Sequence, residues 1–280
     1  MSAPSVAWQD GSAEAARPAI LRTPALARLG AGTVAMAQAE LRKLRHDPLD
    51  IFTRSAQPLL WLFIFGTAMA HNRALQTGGV GYRAYLAPGV MAQGALFVAI
   101  FFGLAVVWER DVGQLQRLLA TPLPRAAIVL GKAIGAAVRS LAQATLLLIV
   151  VAIAGIGIRW TVPGVIGGLA LLALGTSAFA CLSMLMASAL RTRERFMGIG
   201  QLITMPLFFA SSALYPLAIM PSWLHVLARV NPLTYEVQGM RQCLVGVGGS
   251  GELWLDFLVV VGFFAAMAAL ATKAYPRAVL

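Results

Sequence analysis

Apolar runs of about 20 residues recur six times along the chain, at about 51-70, 87-107, 131-154, 163-190, 198-218 and 254-272. With a rise of about 1.5 Å per residue, each makes a helix long enough to cross a hydrocarbon core of about 30 Å. Lipid offers no partner for backbone N–H and C=O groups, so a spanning segment must close its own hydrogen bonds. Runs this long, without the short alternation of barrel strands, close them as helices. Composition agrees: 59% of the 280 residues are hydrophobic, 12% are charged, and the mean hydropathy is +0.77. Soluble domains average roughly half apolar and about a quarter charged. The expectation is an all-α integral membrane protein with six transmembrane helices. It forms one domain over residues 25-280 behind a disordered cytosolic tail at 1-24, and that tail holds no apolar core of a cleavable signal peptide.

The net charge of +11 raises the question of nucleic acid, but the basic residues sit in short loops between spans and form no patch interleaved with aromatics. The membrane gives a simpler account. Seventeen Lys and Arg fall on the side of both termini and five (Arg73, Arg83, Arg159, Arg229, Arg241) on the other. The positive-inside rule then places both termini in the cytosol of a multi-pass protein of the cell membrane. Cys181 and Cys243 have neither the number nor the spacing of a disulfide framework or metal site.

A transporter needs an energy source, and the chain offers no obvious one. Its Gly131-Lys132 pair is followed by Ala133 and has Ala126 where a phosphate-binding loop needs its first glycine. The acids Asp50, Glu109, Asp111, Glu194, Glu236, Glu252 and Asp256 are expected at span edges, which argues against ion coupling through a mid-membrane carboxylate. His46, His71 and His225 fall in separate loops, so a metalloprotease site is not expected. A channel, a scaffold, or a permease driven by a separate protein remains.

Two segments outside the spans carry helical periodicity. Val34, Ala37, Leu41 and Leu44 recur among basic residues, as in a helix lying in the headgroup plane. Between spans two and three, Trp108, Val112, Leu115 and Leu119 fall on one line of a helix while Glu109, Arg110, Asp111, Gln114, Gln116 and Arg117 cover the rest. Pro122 is expected to end that helix and Pro124 to suit the first turn of the next, giving a rigid elbow. Such a helix is either an ordinary amphipathic loop or the surface on which a motor pushes.

The residues themselves sharpen that choice. The stretch "ERDVGQLQRLLATP" followed by "LPRAAIVLGK" resembles the pattern that precedes span three in ABC-2 type permeases, the membrane subunits of a group of bacterial ABC exporters. "YPLAIMPSWLHVLARVNPLTYEVQGMR" is similar to the family's segment before its last span, and "ELRKLRHDPLDIFTRSAQPLLWLFIFG" to its entry into span one. In detail the chain looks most like the daunorubicin-resistance (DrrB-like) multidrug branch, although lipo-oligosaccharide and polysaccharide exporters share these motifs.

The resemblance implies a permease that is not itself an enzyme and binds no cofactor. It would pair with a second permease copy, identical or not, within membrane lipid, while ATP and Mg are bound by a separate cytosolic ABC ATP-binding subunit. Coupling to that subunit would fall on Glu109, Arg110, Gly113, Leu115, Arg117, Leu118 and Pro122. Short re-entrant helices before the last span would form an outer gate at Asn231, Pro232, Tyr235 and Arg241. Asn231 suits an N-cap and Pro232 the first helical position, with Leu233, Val237, Met240 and Leu244 along one face; the alternative is a helix that only packs. Around Pro206, the residues Phe208, Ser211, Ser212 and Tyr215 either line a cargo path or serve a kink. The Phe, Leu and Ala wall points to a hydrophobic or amphipathic cargo such as a drug, antibiotic or lipid-like molecule. A non-transporting scaffold or sensor of the same fold is the rival reading.

Overall fold

The computed structural model describes residues 25–46, 48–70, 77–121, 123–190, 192–247 and 252–275. The expected tail at 1-24 lies outside them. Every regular element among the described residues is helical. Helix α1 is Ala25–His46; α2 is Pro48–Leu60, continued without a break by a π-helical turn Trp61–Phe65 and a last turn Gly66–Met69. There follow α3 (Tyr82–Asp111), α4 (Gln114–Leu119), α5 (Arg125–Ile153), α6 (Val162–Ala189) and α7 (Arg193–Phe209). Helices α8 (Ser222–Val230), α9 (Pro232–Leu244) and α10 (Leu253–Ala274) are the last helices among the described residues.

Among the described residues four helices, α3, α5, α6 and α10, are long and apolar enough to cross a membrane. They match the second, third, fourth and sixth runs of the sequence. The first run is helical from Pro48 to Met69 but passes through the π turn. The fifth departs from expectation: α7 stops at Phe209, where 198-218 had been expected to continue. Pro206 lies in its last turn. It has no N–H for Leu202 O, which weakens the turn before it, and the helix makes one more turn, closed by Ala210 N on Pro206 O at 2.8 Å.

The bundle closes by small residues meeting across helices, as expected where lipid removes the hydrophobic drive between them. A Cβ on Gly103 of α3 would stand 2.0 Å from the Ser183 hydroxyl of α6. That hydroxyl instead accepts from Gly103 N at 3.0 Å and donates to Ile100 O at 2.9 Å.

Helix α1 revises its expected placement. Gly32 meets Ala127, Met36 meets Gly131 and Glu40 meets Gly135, so α1 runs parallel to α5 along its first turns and does not lie across it. The packed face is Gly32, Thr33, Met36 and Glu40. Val34, from the apolar stripe seen in the sequence, points away and is 56% exposed.

Helix α9 packs against α6 in the opposite sense. Leu244 meets Gly168, Cys243 meets Gly164 and Glu236 meets Gly175. Gly164 and Gly175 are eleven positions apart, a rise of roughly 16 Å, so α9 starts about halfway down α6 and climbs back. We call the end bearing the α2–α3, α5–α6 and α9–α10 connections the cap, and the end bearing α4 and the α6–α7 connection the foot.

Candidate functional site

At the cap, one amide ties three helices. Asn231 Oδ1 accepts from Leu233 N at 3.0 Å, the N-cap of α9, with Pro232 in its first turn. Its Nδ2 donates to Leu207 O at 2.6 Å and Ala210 O at 3.3 Å at the end of α7, and its backbone N donates to Leu227 O of α8 at 3.1 Å. The last carbonyls of a helix have no partner within it. Those of α7 are all met: Phe208 O by the Ser211 hydroxyl at 2.6 Å, Phe209 O by the Tyr215 hydroxyl at 2.6 Å, and the other two by Asn231. Of the hydroxyls considered for a cargo path, those of Ser211 and Tyr215 are engaged at the end of α7, and that of Ser212 donates to Thr234 O of α9 at 3.4 Å. Ser211, Ser212 and Phe208 are buried.

Arg241 holds the turn that follows. It is 1% exposed, its Nε donates to Tyr85 O at 3.1 Å and an Nη to Ser212 O at 2.8 Å, and its guanidinium lies 3.6 Å from the Tyr85 ring centroid. The Tyr82 hydroxyl donates to Leu214 O at 2.7 Å. A Cβ on Gly89 would stand 2.3 Å from Ala213 O, so the turn rests on bare α3 backbone. Tyr235, also singled out in the sequence, donates from its hydroxyl to Arg229 O at 2.8 Å, bracing α8 against α9.

Leu233, Val237, Met240 and Leu244 are fully buried, as their spacing predicted. Glu236 corrects the expectation that acids sit at the edges. It is 1% exposed, faces Gly175 in the middle of α6, and neither carboxyl oxygen has a hydrogen-bond partner. The reversal of α9 into the bundle carries it there, and a linear reading of the chain could not show that. Asp256, fourth in α10, is also fully buried.

At the foot, the expected single helix over Trp108–Leu119 is two. Helix α3 ends at Asp111, Gly113 turns left-handed at φ 71°, and α4 starts at Gln114. Trp108 and Val112 are 52% and 64% exposed whereas Leu115 is fully buried, so these three do not share a face. Leu118 is half-buried; Gln114, Gln116 and Arg117 are exposed. Helix α4 ends at Leu119 with Ala120 N on Gln116 O at 3.0 Å. Pro122 lies outside the described residues.

Glu109 turns inward instead of covering an exposed face. Its Oε1 accepts from Lys132 Nζ at 2.7 Å, with side chains 12% and 2% exposed. Lys43 pairs with Glu40 at 2.9 Å, and the cross distances Lys132–Glu40 and Lys43–Glu109 are both 3.9 Å. This cluster locks α1, α3 and α5. Tyr275 lies beside it; burial first, then the negative charges of Glu109 and Glu40, holds its phenol above the ordinary tyrosine range. Arg110 donates to Leu190 O at 3.1 Å, and Arg193 pairs with Asp111 at 2.8 Å while stacking on Trp108 at 3.7 Å. The α6–α7 connection is thereby fastened to the end of α3. In the sequence Lys132 stands out only as the lysine of a failed phosphate-loop pattern and Arg193 only as a loop charge; the Gly131/Gly135 spacing, which admits α1, is the signal for Lys132.

Residues 32–245 match the family model described as ABC-2 type transporter. The ycf38 transport permease of Cyanophora paradoxa is 30% identical over 71% of this chain and 69% of its own. Nodulation protein J of Rhizobium leguminosarum bv. trifolii is 30% identical over 68% and 72%. The daunorubicin resistance ABC transporter permease protein DrrB1 of Streptomyces coeruleorubidus is 23% identical over 90% and 88%.

Proposed function

The chain belongs to the ABC-2 type transporter family, and from that premise we propose that it is the membrane subunit of an ATP-driven exporter. Permeases of this family normally work with a separate ATP-binding subunit, and here it would dock at the foot, which faces the cytosol. Two permease copies would form the transmembrane pathway, each with six spans: α2 and α7 cross together with the four long helices. Helices α8 and α9 would dip into the outer half of the membrane and return. The cargo is a hydrophobic or amphipathic compound, in keeping with a relative named for daunorubicin resistance.

The observation that carries this reading is how α4 is held. A left-handed Gly113 and a fully buried Leu115 fix it against the bundle, while Gln114, Gln116 and Arg117 face outward. A force on that outer face passes to α3 through a one-residue hinge. From α3 it passes to α5 and α1 through Lys132–Glu109, and to the α6–α7 connection through Arg193–Asp111. An ordinary loop helix has no need of such fastening. The test is co-expression with a candidate ABC ATP-binding subunit, in vesicles loaded with an amphipathic dye. ATP-dependent transport that is lost with Arg117→Glu, while the permease stays folded, supports the reading. Transport with no dependence on that subunit rejects it.

A further inference from the structure

An amide buried at membrane depth is costly unless it is hydrogen-bonded, and two amides here are not fully used. Gln93 of α3 and Gln143 of α5 are each 4% exposed, and neither Oε1 has a hydrogen-bond partner among the described residues. Gln93 lies eleven residues, roughly 16 Å, from the Tyr82 end of α3, and Gln143 ten residues, roughly 15 Å, from the Ile153 end of α5. Both therefore stand near the middle of a hydrocarbon core of about 30 Å.

One half of Gln143 has a structural task. Pro58 of α2 has no N–H for the carbonyl four residues before it, and Gln143 Nε2 donates to that carbonyl, Arg54 O, at 3.1 Å. A Cβ on Gly94 would stand 2.8 Å from Gln143 Nε2 and 3.1 Å from Pro58 Cγ, so bare α3 backbone admits the contact. The proline thus accounts for the Gln143 nitrogen and for neither amide oxygen.

Both glutamines line a cavity of about 200 Å³ between α2, α3 and α5. Phe97, Phe101 and Pro58 give it apolar walls, and the exposed Gln57 and Phe101 stand at its mouth. No acid is in the described lining, so a cation would enter without a counter-charge. Arg54, the charged lining residue, is already engaged, with its guanidinium 4.2 Å from the Phe101 centroid, and an anion would face two carbonyl oxygens. A neutral hydroxyl can donate to those oxygens while an attached ring lies on the phenylalanine faces. Water could donate too, but it gains nothing from the apolar walls.

We propose that this cavity binds a neutral, hydroxyl-bearing aromatic molecule drawn from the bilayer, its hydroxyls donating to Gln93 Oε1 and Gln143 Oε1 and its ring against Phe97 and Phe101. That the occupant is cargo rests on the reading of the chain as an export permease; the binding itself does not.

The test is equilibrium dialysis of the purified full-length permease in neutral detergent against protein-free micelles at the same detergent concentration, so that partitioning into detergent cancels. The probes are hexylresorcinol, its dimethyl ether, which keeps the ring and loses the donors, and hexylbenzoate. Hexylresorcinol should saturate at one molecule per chain and bind about tenfold tighter than the ether, each of two neutral hydrogen bonds contributing a few-fold. Hexylbenzoate should bind no tighter than the ether. Gln93→Leu should remove most of the preference without lowering thermal stability, because it deletes an oxygen that has no partner to lose. Gln93→Met, closer to the parent in length, should behave the same, and Gln201→Leu on α7, outside this lining, should leave the preference intact. Equal binding of hexylresorcinol and its ether, as for a cavity that holds water only, would overturn the proposal. So would a preference retained in both Gln93 variants, or hexylbenzoate binding tightest. The assay needs no ATP-binding subunit, so binding without ATP-driven export would count against the proposed function, and export without the preference would count against this site alone.

Discussion

Lys132 Nζ and Glu109 Oε1 meet at 2.7 Å across the foot, and both side chains are nearly withdrawn from solvent. A buried pair is costly to assemble, and removing one partner strands the other charge, at about 3–5 kcal/mol. Glu40 stands 3.9 Å from the same ammonium and offsets part of that loss. Glu109→Ala should therefore fall near the lower end of that range and lower the unfolding midpoint in mild denaturant. Glu109→Gln with Lys132→Met should recover much of it. A single variant as stable as the parent would show that the pair does not hold α3 to α5.

Asn231→Ala should loosen the cap. It removes an N-cap worth about 0.5–2 kcal/mol and leaves the Leu207 and Ala210 carbonyls without their donor, at about 1–3 kcal/mol each where buried. Asn231→Asp keeps the cap acceptor but loses both donors, so it should restore protection of the α9 amides and not the end of α7. Hydrogen exchange resolved by segment checks this. If the cap is also a gate, both variants should let dye cross vesicles without nucleotide.

Gly175→Ala puts a methyl group 2.1 Å from the Glu236 carboxyl, and should displace α9. Truncating the glutamate should relieve it, so Gly175→Ala with Glu236→Ala should be more stable than Gly175→Ala alone. Additive losses in thermal unfolding would contradict the close approach.

Gly113 offers a backbone test of the foot. A Cβ there would meet nothing closer than Gln116 Oε1 at 3.4 Å, so substitution acts through φ alone. Gly113→Ala should cost roughly 1–2 kcal/mol in the left-handed region, while Gly113→Asn should cost less because Asn visits that region more readily. Export per ATP hydrolysed should fall in the same order, and equal coupling in both variants would remove the hinge from the transmission path.

The helical, membrane-spanning character was legible because apolar run length and the absence of soluble-length polar segments constrain it directly. The Asn231-Pro232 corner and the Leu233–Leu244 face were legible because capping and 3.6-residue spacing are local. What lay hidden depended on chain reversal or on one residue's backbone sign. Glu236 reads as an edge residue until α9 folds back along α6. The stripe from Trp108 to Leu119 reads as one helix until Gly113 takes a positive φ. The ion cluster at the foot draws Lys43, Glu109 and Lys132 from three helices, and no spacing within one of them reveals it.

The central claim is that the foot faces the cytosol and receives an ATP-binding subunit, and site-directed labelling tests it most directly. In a background with Cys181 and Cys243 replaced, single cysteines at Gln114 and Thr192 should react with a membrane-impermeant maleimide only from the cytosolic side. One at Ser222 should react only from outside, and the cysteine at 114 should form a disulfide with a cysteine placed on the docking face of the ATP-binding subunit when copper phenanthroline is added. Labelling of position 114 from outside, or of 114 and 222 from the same side, would contradict the account.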